Sequence, residues 1–136
     1  MKISAKAEYA CLAVLALARP RPDDSPVRIR EIAESHGIPE RYLVQILLQL
    51  KGAGLVQSTR GAAGGYRLAR PAGQISLSEV LNAIDGPGEV PRESNKPAAQ
   101  VLAAVWEHIR AAERAVLEQT SIADLSQRTA PHEWFI

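Results

Sequence analysis

The stretch GIPERYLVQILLQLKGAGLVQSTRGAAGGYRL, Gly37 to Leu68, changes its hydrophobic period partway along, and that change decides the fold. In its first half Leu43, Ile46, Leu47 and Leu50 fall at i, i+3, i+4 and i+7, the stripe of a helix with one face on a core. The opposite face reads Arg41, Gln45, Leu48 and Gly52. Pro39 suits the first turn of this helix, where a missing N–H costs no hydrogen bond. After Gly52-Ala53-Gly54, Leu55–Thr59 reads as a strand and Gly65–Ala69 as its return, with Gly61-Ala62-Ala63-Gly64 at the tip between Arg60 and Arg67. A tip of small residues flanked by guanidinium groups is suited to approach a phosphate backbone and set an arginine into a narrow minor groove. A flexible hairpin whose arginines only keep it soluble has the same local pattern.

Upstream, Ser4 caps a helix running to about Ala18, and RPRPDDSP, Arg19 to Pro26, is an exposed connection. A short second helix at about Arg30–His36 turns Ile32 and Ala33 inward and stops at Gly37. Two short amphipathic helices joined by Gly37–Pro39 form a helix-turn-helix, with an ordinary helical hairpin as the alternative. Downstream, Ser76 and Glu79 make a capping box opening a fourth helix to Gly86, and GPGEVPRESNKP is a linker by composition. Ala98 to about Gln119 is the longest helical pattern. Val101, Leu102, Val105, Trp106, Ile109, Ala112 and Val116 lie along one side of it. That stripe is more than a small domain covers, so it reads as a dimerisation helix, against a helix folded back on its own core. Ser121 caps a last short helix through Leu125, and RTAPHEWFI ends the chain with Trp134 and Phe135 either docked or disordered.

Composition narrows the classes. The chain of 136 residues is 46% hydrophobic and only 4% aromatic, which favours an Ala, Leu, Val and Ile core built from helices. One cysteine excludes an internal disulfide, and Met1–Arg19 lacks a signal-peptide pattern, so a cytoplasmic protein without a membrane span is expected. Residues 37–75 hold five basic residues and one acidic, whereas residues 76–136 hold five and nine. One surface therefore meets an anion. An enzyme is not expected: no nucleophile sits with a base, no metal set is present, and RGAAGG lacks the Lys-Ser or Lys-Thr of a phosphate loop.

The order of these segments resembles the IscR/NsrR/CymR family of bacterial winged-helix transcription regulators. The likeness rests on KAEYACLAVLALA (Lys6–Ala18), IREIAESHGIPERYLVQILLQLKGAGLVQSTRGAAGGYRLA (Ile29–Ala69) and ISLSEVLNAIDG (Ile75–Gly86), and more weakly on AAVWEHI and TSIADL. The resemblance implies a mainly α fold with a small β-hairpin wing. A winged helix-turn-helix domain over residues 1–86 is followed by a linker at 87–97, a dimerisation helix with a short following helix at 98–128, and a tail at 129–136. It further implies a homodimeric repressor on a partly palindromic double-stranded DNA operator, the third helix in the major groove and the wing in the minor groove. The DNA face would comprise Arg41, Tyr42, Gln45, Gln49, Ser58, Arg60, Gly61, Gly64, Gly65, Tyr66 and Arg67, with Gln45 on base edges and Arg41 and Tyr42 mainly on phosphates.

Two departures qualify that likeness. Val44 stands where several members carry an acidic residue, so base preference does not transfer, and Val44 and Leu48 are placed to meet thymine methyls instead. Cluster-binding members hold three cysteines in and after the linker, but here Gly86–Ala104 has neither Cys nor His. A lone Glu8 cannot hold iron–sulfur iron, and His36, His108 and His132 are too dispersed for ligand spacing. No cofactor is therefore expected. Cys11 reads as a small buried hydrophobe, with a redox switch as the alternative. A winged-helix module binding protein in place of DNA is the competing class. A small-molecule effector stays open as a further partner.

Overall fold

The computed structural model describes residues 1–62, 64–88 and 92–129. Among them are six helices and one antiparallel hairpin, in the order α1 (Ala5–Ala18), α2 (Ile29–His36), α3 (Glu40–Gly52), β1 (Val56–Thr59), β2 (Gly65–Leu68), α4 (Leu77–Asp85), α5 (Pro97–Gln119) and α6 (Ile122–Thr129). The expected winged helix-turn-helix with a long C-terminal helix is present. The tail expectation, including Trp134 and Phe135, lies outside the described residues.

The alanine-rich sequence of α1 makes it the centre of the body. Ser4 caps it by accepting from the Ala7 N–H at 3.0 Å, and Ala7, Ala10, Ala13, Val14 and Leu17 are buried. Small side chains let α2, α3, α4, α6 and β2 all pack against this one helix. The few aromatic residues are thereby accounted for, since close backbones leave no large space to fill.

The helix-turn-helix is set by two backbone devices. Gly37 ends α2 in the left-handed region at φ 64°, and its N–H and that of Ile38 both reach the Ala33 carbonyl. Ile38, only 3% exposed, pins the turn to the core. Pro39 falls one place earlier than expected: it is the N-cap of α3, and its carbonyl accepts from Tyr42 and Leu43 at 3.1 Å each. The residue that cannot donate thus supplies the acceptor that starts the helix.

The strands pair in the register Val56↔Leu68, Gln57↔Arg67, Ser58↔Tyr66 and Thr59↔Gly65. Val27, which the sequence offers only as the end of a proline-rich loop, bridges to the other side of β2 as a single paired residue. Its N–H and carbonyl exchange hydrogen bonds with Tyr66, each 2.8 Å. So β2 lies between β1 and Val27, and the hairpin is moored to the segment entering α2.

The C-terminal part closes back on the same body. The capping box of α4 is complete, with the Ser76 hydroxyl accepting from the Glu79 N–H at 3.1 Å and the Glu79 carboxylate from the Ser76 N–H at 3.3 Å. Ser121 and Asp124 repeat that reciprocal arrangement at the start of α6. A short bridge joins the two caps: Leu77 donates to the Thr120 carbonyl at 2.8 Å and Ile122 to that of Ile75 at 2.9 Å. Ile75 and Ile122 are both fully buried, so α6, which continues to Thr129 and not only to Leu125, belongs to the packed body. A 3-10 turn at Ala72–Gln74, not evident from the sequence, packs beside it.

The mooring of the hairpin depends on the absence of a side chain at Gly65. A Cβ there would lie 2.5 Å from the Val27 carbonyl oxygen and 2.7 Å from its carbon. Because those are backbone atoms in a hydrogen-bonded bridge, they yield only if the bridge opens. Gly65→Ala is expected to lower unfolding free energy by about 1–3 kcal/mol in urea titration, the usual range for overpacking a close contact. An unchanged midpoint would show that Val27 does not hold the wing.

Candidate nucleic-acid interface

Burial of one stripe on α3 determines what the other side presents. Leu43, Ile46, Leu47 and Leu50 are fully buried, each contributing roughly 1.5–3 kcal/mol to holding the helix in place. The exposed side carries Arg41, Tyr42, Val44, Gln45, Leu48 and Lys51. The Arg41 guanidinium lies 5.2 Å from the centre of the Tyr42 ring, a cation–π contact that orders two long side chains at the N-terminal end of the helix. Gln45 is free to reach outward. Gln49 is half-buried, and its Oε1 has no hydrogen-bond partner among the described residues.

The wing is joined to this helix. The Lys51 ammonium donates to the Ser58 hydroxyl at 2.8 Å, tying the end of α3 to β1. The Arg28 guanidinium, at the N-cap of α2, donates to the Ala62 carbonyl at the hairpin tip. Gly61 adopts φ 106°, and a Cβ on Gly64 would lie 2.2 Å from the Thr59 carbonyl, so the tip is a turn that larger residues cannot make. Arg60 projects beside that tip and is exposed.

The sequence grouped Arg60, Tyr66 and Arg67 together, but the structure separates them. The side chains of β2 are all partly covered, by the core on one face and a cleft on the other. Tyr66 packs against the hydrophobic core, and Arg67 is half-buried in a cleft with Leu17, Ala18, Arg19 and Asp24, its Nε lacking a hydrogen-bond partner. Gly64 and Gly65 serve close packing within the wing. Tyr66 and Arg67 are thus half-buried, whereas Arg60 occupies the outer edge of the wing. Arg28 and Val27 were not singled out by sequence, because their partners lie more than thirty residues away and no local period marks them.

A second exposed surface lies on α5, where none of 23 residues is buried. Val101, Leu102, Val105, Trp106, Ile109 and Val116 are each at least 44% exposed, with Ala112 among them. Glu107 pairs with Arg110 and Arg114 at 3.2 and 3.1 Å on the polar side, leaving the apolar stripe uninterrupted. Among the described residues no helix is long and apolar enough to cross a membrane.

Cys11 is the sole cysteine of the chain. Burial, with a smaller contribution from the neighbouring Glu8 carboxylate, pushes its thiol up to about 11. Among the described residues no group of three His, Cys, Asp or Glu is placed to hold a metal ion. A single protonated thiol does not fit a thiolate-held iron–sulfur cluster, which needs several thiolates.

A family model described as "Rrf2: Iron-dependent Transcriptional regulator" matches residues 3–128. A candidate HTH-type transcriptional regulator of Mycobacterium tuberculosis, Rv1287, is 41% identical over 140 residues, spanning 96% of this chain and 84% of its own. The HTH-type transcriptional regulator CymR of Bacillus subtilis is 34% identical over 131 residues, spanning 95% and 92%. The solved structure of that protein, titled the global cysteine regulator of B. subtilis, superposes with a TM-score of 0.85 at 32% identity over 95% of this chain and 98% of its own. IscR of T. potens superposes with a TM-score of 0.78 at 33% identity, covering 94% and 88%. With its helix-turn-helix, moored wing and long C-terminal helix, the chain belongs to the Rrf2 family of winged-helix transcriptional regulators.

Proposed function

We propose that this regulator is a homodimeric repressor that grips a partly palindromic operator, α3 lying in the major groove and the hairpin tip in the flanking minor groove. The observation carrying this reading is the outward side of α3. It offers Arg41 and Gln45 to solvent while four fully buried side chains fix its orientation, and the wing beside it carries exposed Arg60. Glutamine presents a donor and an acceptor matched to adenine, and arginine a fork matched to guanine or phosphate. The five basic residues and one acidic between 37 and 75 supply the attraction to the duplex. Repression then needs no further chemistry, since an occupied operator blocks access to the promoter it overlaps. In this reading the protein acts in the cytoplasm, and a small-molecule effector is compatible with it.

Dimerisation supplies the second half-site. The stripe from Val101 to Val116 is continuous, apolar and exposed, and a two-fold pairing of identical stripes covers both at once. We further propose that the regulator works without an iron–sulfur cluster and without redox sensing by Cys11, because the donor set is one half-buried thiol whose pKa is pushed up to about 11.

Three measurements test these statements. In fluorescence anisotropy with a selected operator, Arg60→Ala is expected to weaken binding to all sequences and reduce the salt slope by about one. Gln45→Ala should instead cost about 1–3 kcal/mol of preference for operator over random duplex. Both variants binding like the parent would place the DNA surface elsewhere. Sedimentation should find the parent chain as a dimer and Val105→Asp as a folded monomer with weakened operator binding; a monomeric parent overturns the pairing. Alkylation of Cys11 at pH 8 should run roughly a hundredfold slower than in the urea-unfolded chain and accelerate as pH rises toward about 11. Fast alkylation at pH 8 would revive the redox reading.

A further inference from the structure

The outward face of α3 has a feature that charge does not explain. Leu48 is 58% exposed and Val44 is 41% exposed, although the same helix buries four other aliphatic side chains completely. At 100° per residue, Arg41, Gln45, Leu48 and Gly52 cluster within about 60° of arc, directly opposite Leu50. Leu48 lies at one edge of that outward arc, with Val44 one turn before it and farther to the same side. Gly52, at the C-terminal end of that arc, has a helical backbone, and a Cβ there would meet nothing within 4 Å. Nothing inside the chain demands a glycine at that position. Its effect is to leave the backbone open beyond Leu48, so that a surface laid along α3 can approach closely.

What that surface offers can be argued from the chemistry of the face. Leucine and valine neither donate nor accept hydrogen bonds, so they gain nothing from the base-edge N and O atoms that fill a major groove. The apolar group presented there by an unmodified base pair is the thymine C5-methyl. The surrounding charges favour DNA over an apolar protein partner: Arg41 and Lys51 are on the same helix, Arg60 is on the wing, and Glu40 is the one acidic residue from 37 to 75. We propose that Val44 and Leu48 are specificity-determining residues that read thymine methyl groups, so that the recognised half-site carries thymines beneath the middle of α3. The proposal rests on the DNA-binding reading above and adds to it which chemical group on the base is recognised.

Replacing thymine by uracil removes the methyl and leaves every hydrogen-bonding atom in place. The full-length protein is first used to select its site from a randomised duplex library. Each thymine of the selected duplex is then replaced singly by uracil and the Kd measured. Replacement beneath α3 is expected to weaken binding about fourfold per methyl, while replacement under the wing has no effect because the methyl lies in the major groove. Leu48→Ala and Val44→Ala, both surface changes whose folding is checked by circular dichroism, should each lose sensitivity to uracil at their own position and keep it at the other. A selected duplex that tolerates uracil at every position, or contains no thymine beneath α3, overturns the proposal and leaves the DNA-binding reading intact. Failure to retain any duplex in dilute buffer removes both, and points to a protein partner for this face.

Discussion

The fixed rotation of α3 about its own axis is the constraint on which the rest of this molecule depends. Leu43, Ile46, Leu47 and Leu50 lock that rotation by packing against a body centred on α1. A helix turned by one residue would bring Val44 and Leu48 toward the core and push leucines outward, at a cost of several burial energies of roughly 1.5–3 kcal/mol each. The outward set is therefore determined by the inward one. Low aromatic content contributes to this precision, because the alanines of α1 bring helix axes close and leave little room to rotate.

The wing inherits its position from the same core through four contacts of different kinds. Val56 and Leu68 pack inward, Val27 adds a two-hydrogen-bond bridge, Lys51 reaches Ser58, and Arg28 holds the tip from the entry of α2. Only the last two are side-chain contacts at the surface, where each is worth little alone. The paired backbone and buried apolar groups set the placement, and the surface contacts limit the sway of the tip. Arg60 lies beyond the paired register and is exposed, whereas Arg67 faces the cleft lined by Leu17, Ala18 and Arg19 and is partly covered.

Much of this was legible in the sequence, because the signals were local. The stripe on α3, Gly37 as a left-handed stop, the three serine caps and the length of α5 each follow from residues a few positions apart. What escaped was non-local. Val27 forms a bridge only because Tyr66 is there to pair with it, and Arg28 finds its acceptor across the fold at Ala62. The partial burial of Tyr66 and Arg67 has the same origin, since a hairpin read alone has two open edges. Pro39 was placed one residue late because a proline suits both the N-cap and the first turn, and φ near −60° does not distinguish them.

The seating of α5 bears on how two reading heads would be spaced. Its 23 residues span about 34 Å, close to one turn of B-form DNA. Its placement is set by packing along α4, by the Met1 amino group on Glu113 at 3.1 Å, and by the turn through Ser121 that returns the chain to the core at Ile122. The Ser4 hydroxyl that caps α1 also donates to Asp85 at the end of α4 at 2.9 Å, linking the start of the body to the point where the chain departs toward α5. In a two-fold pair joined through α5, the distance between the two α3 helices is twice the offset of α3 from the axis, so a small tilt of α5 on α4 is doubled at the DNA. The exposed ion pairs along this path are weak individually, and the apolar seat is shallow, with no residue of α5 buried. In the proposed dimer, half-site spacing would consequently be the property most open to adjustment, whereas the rotation of α3 on its own body is the least.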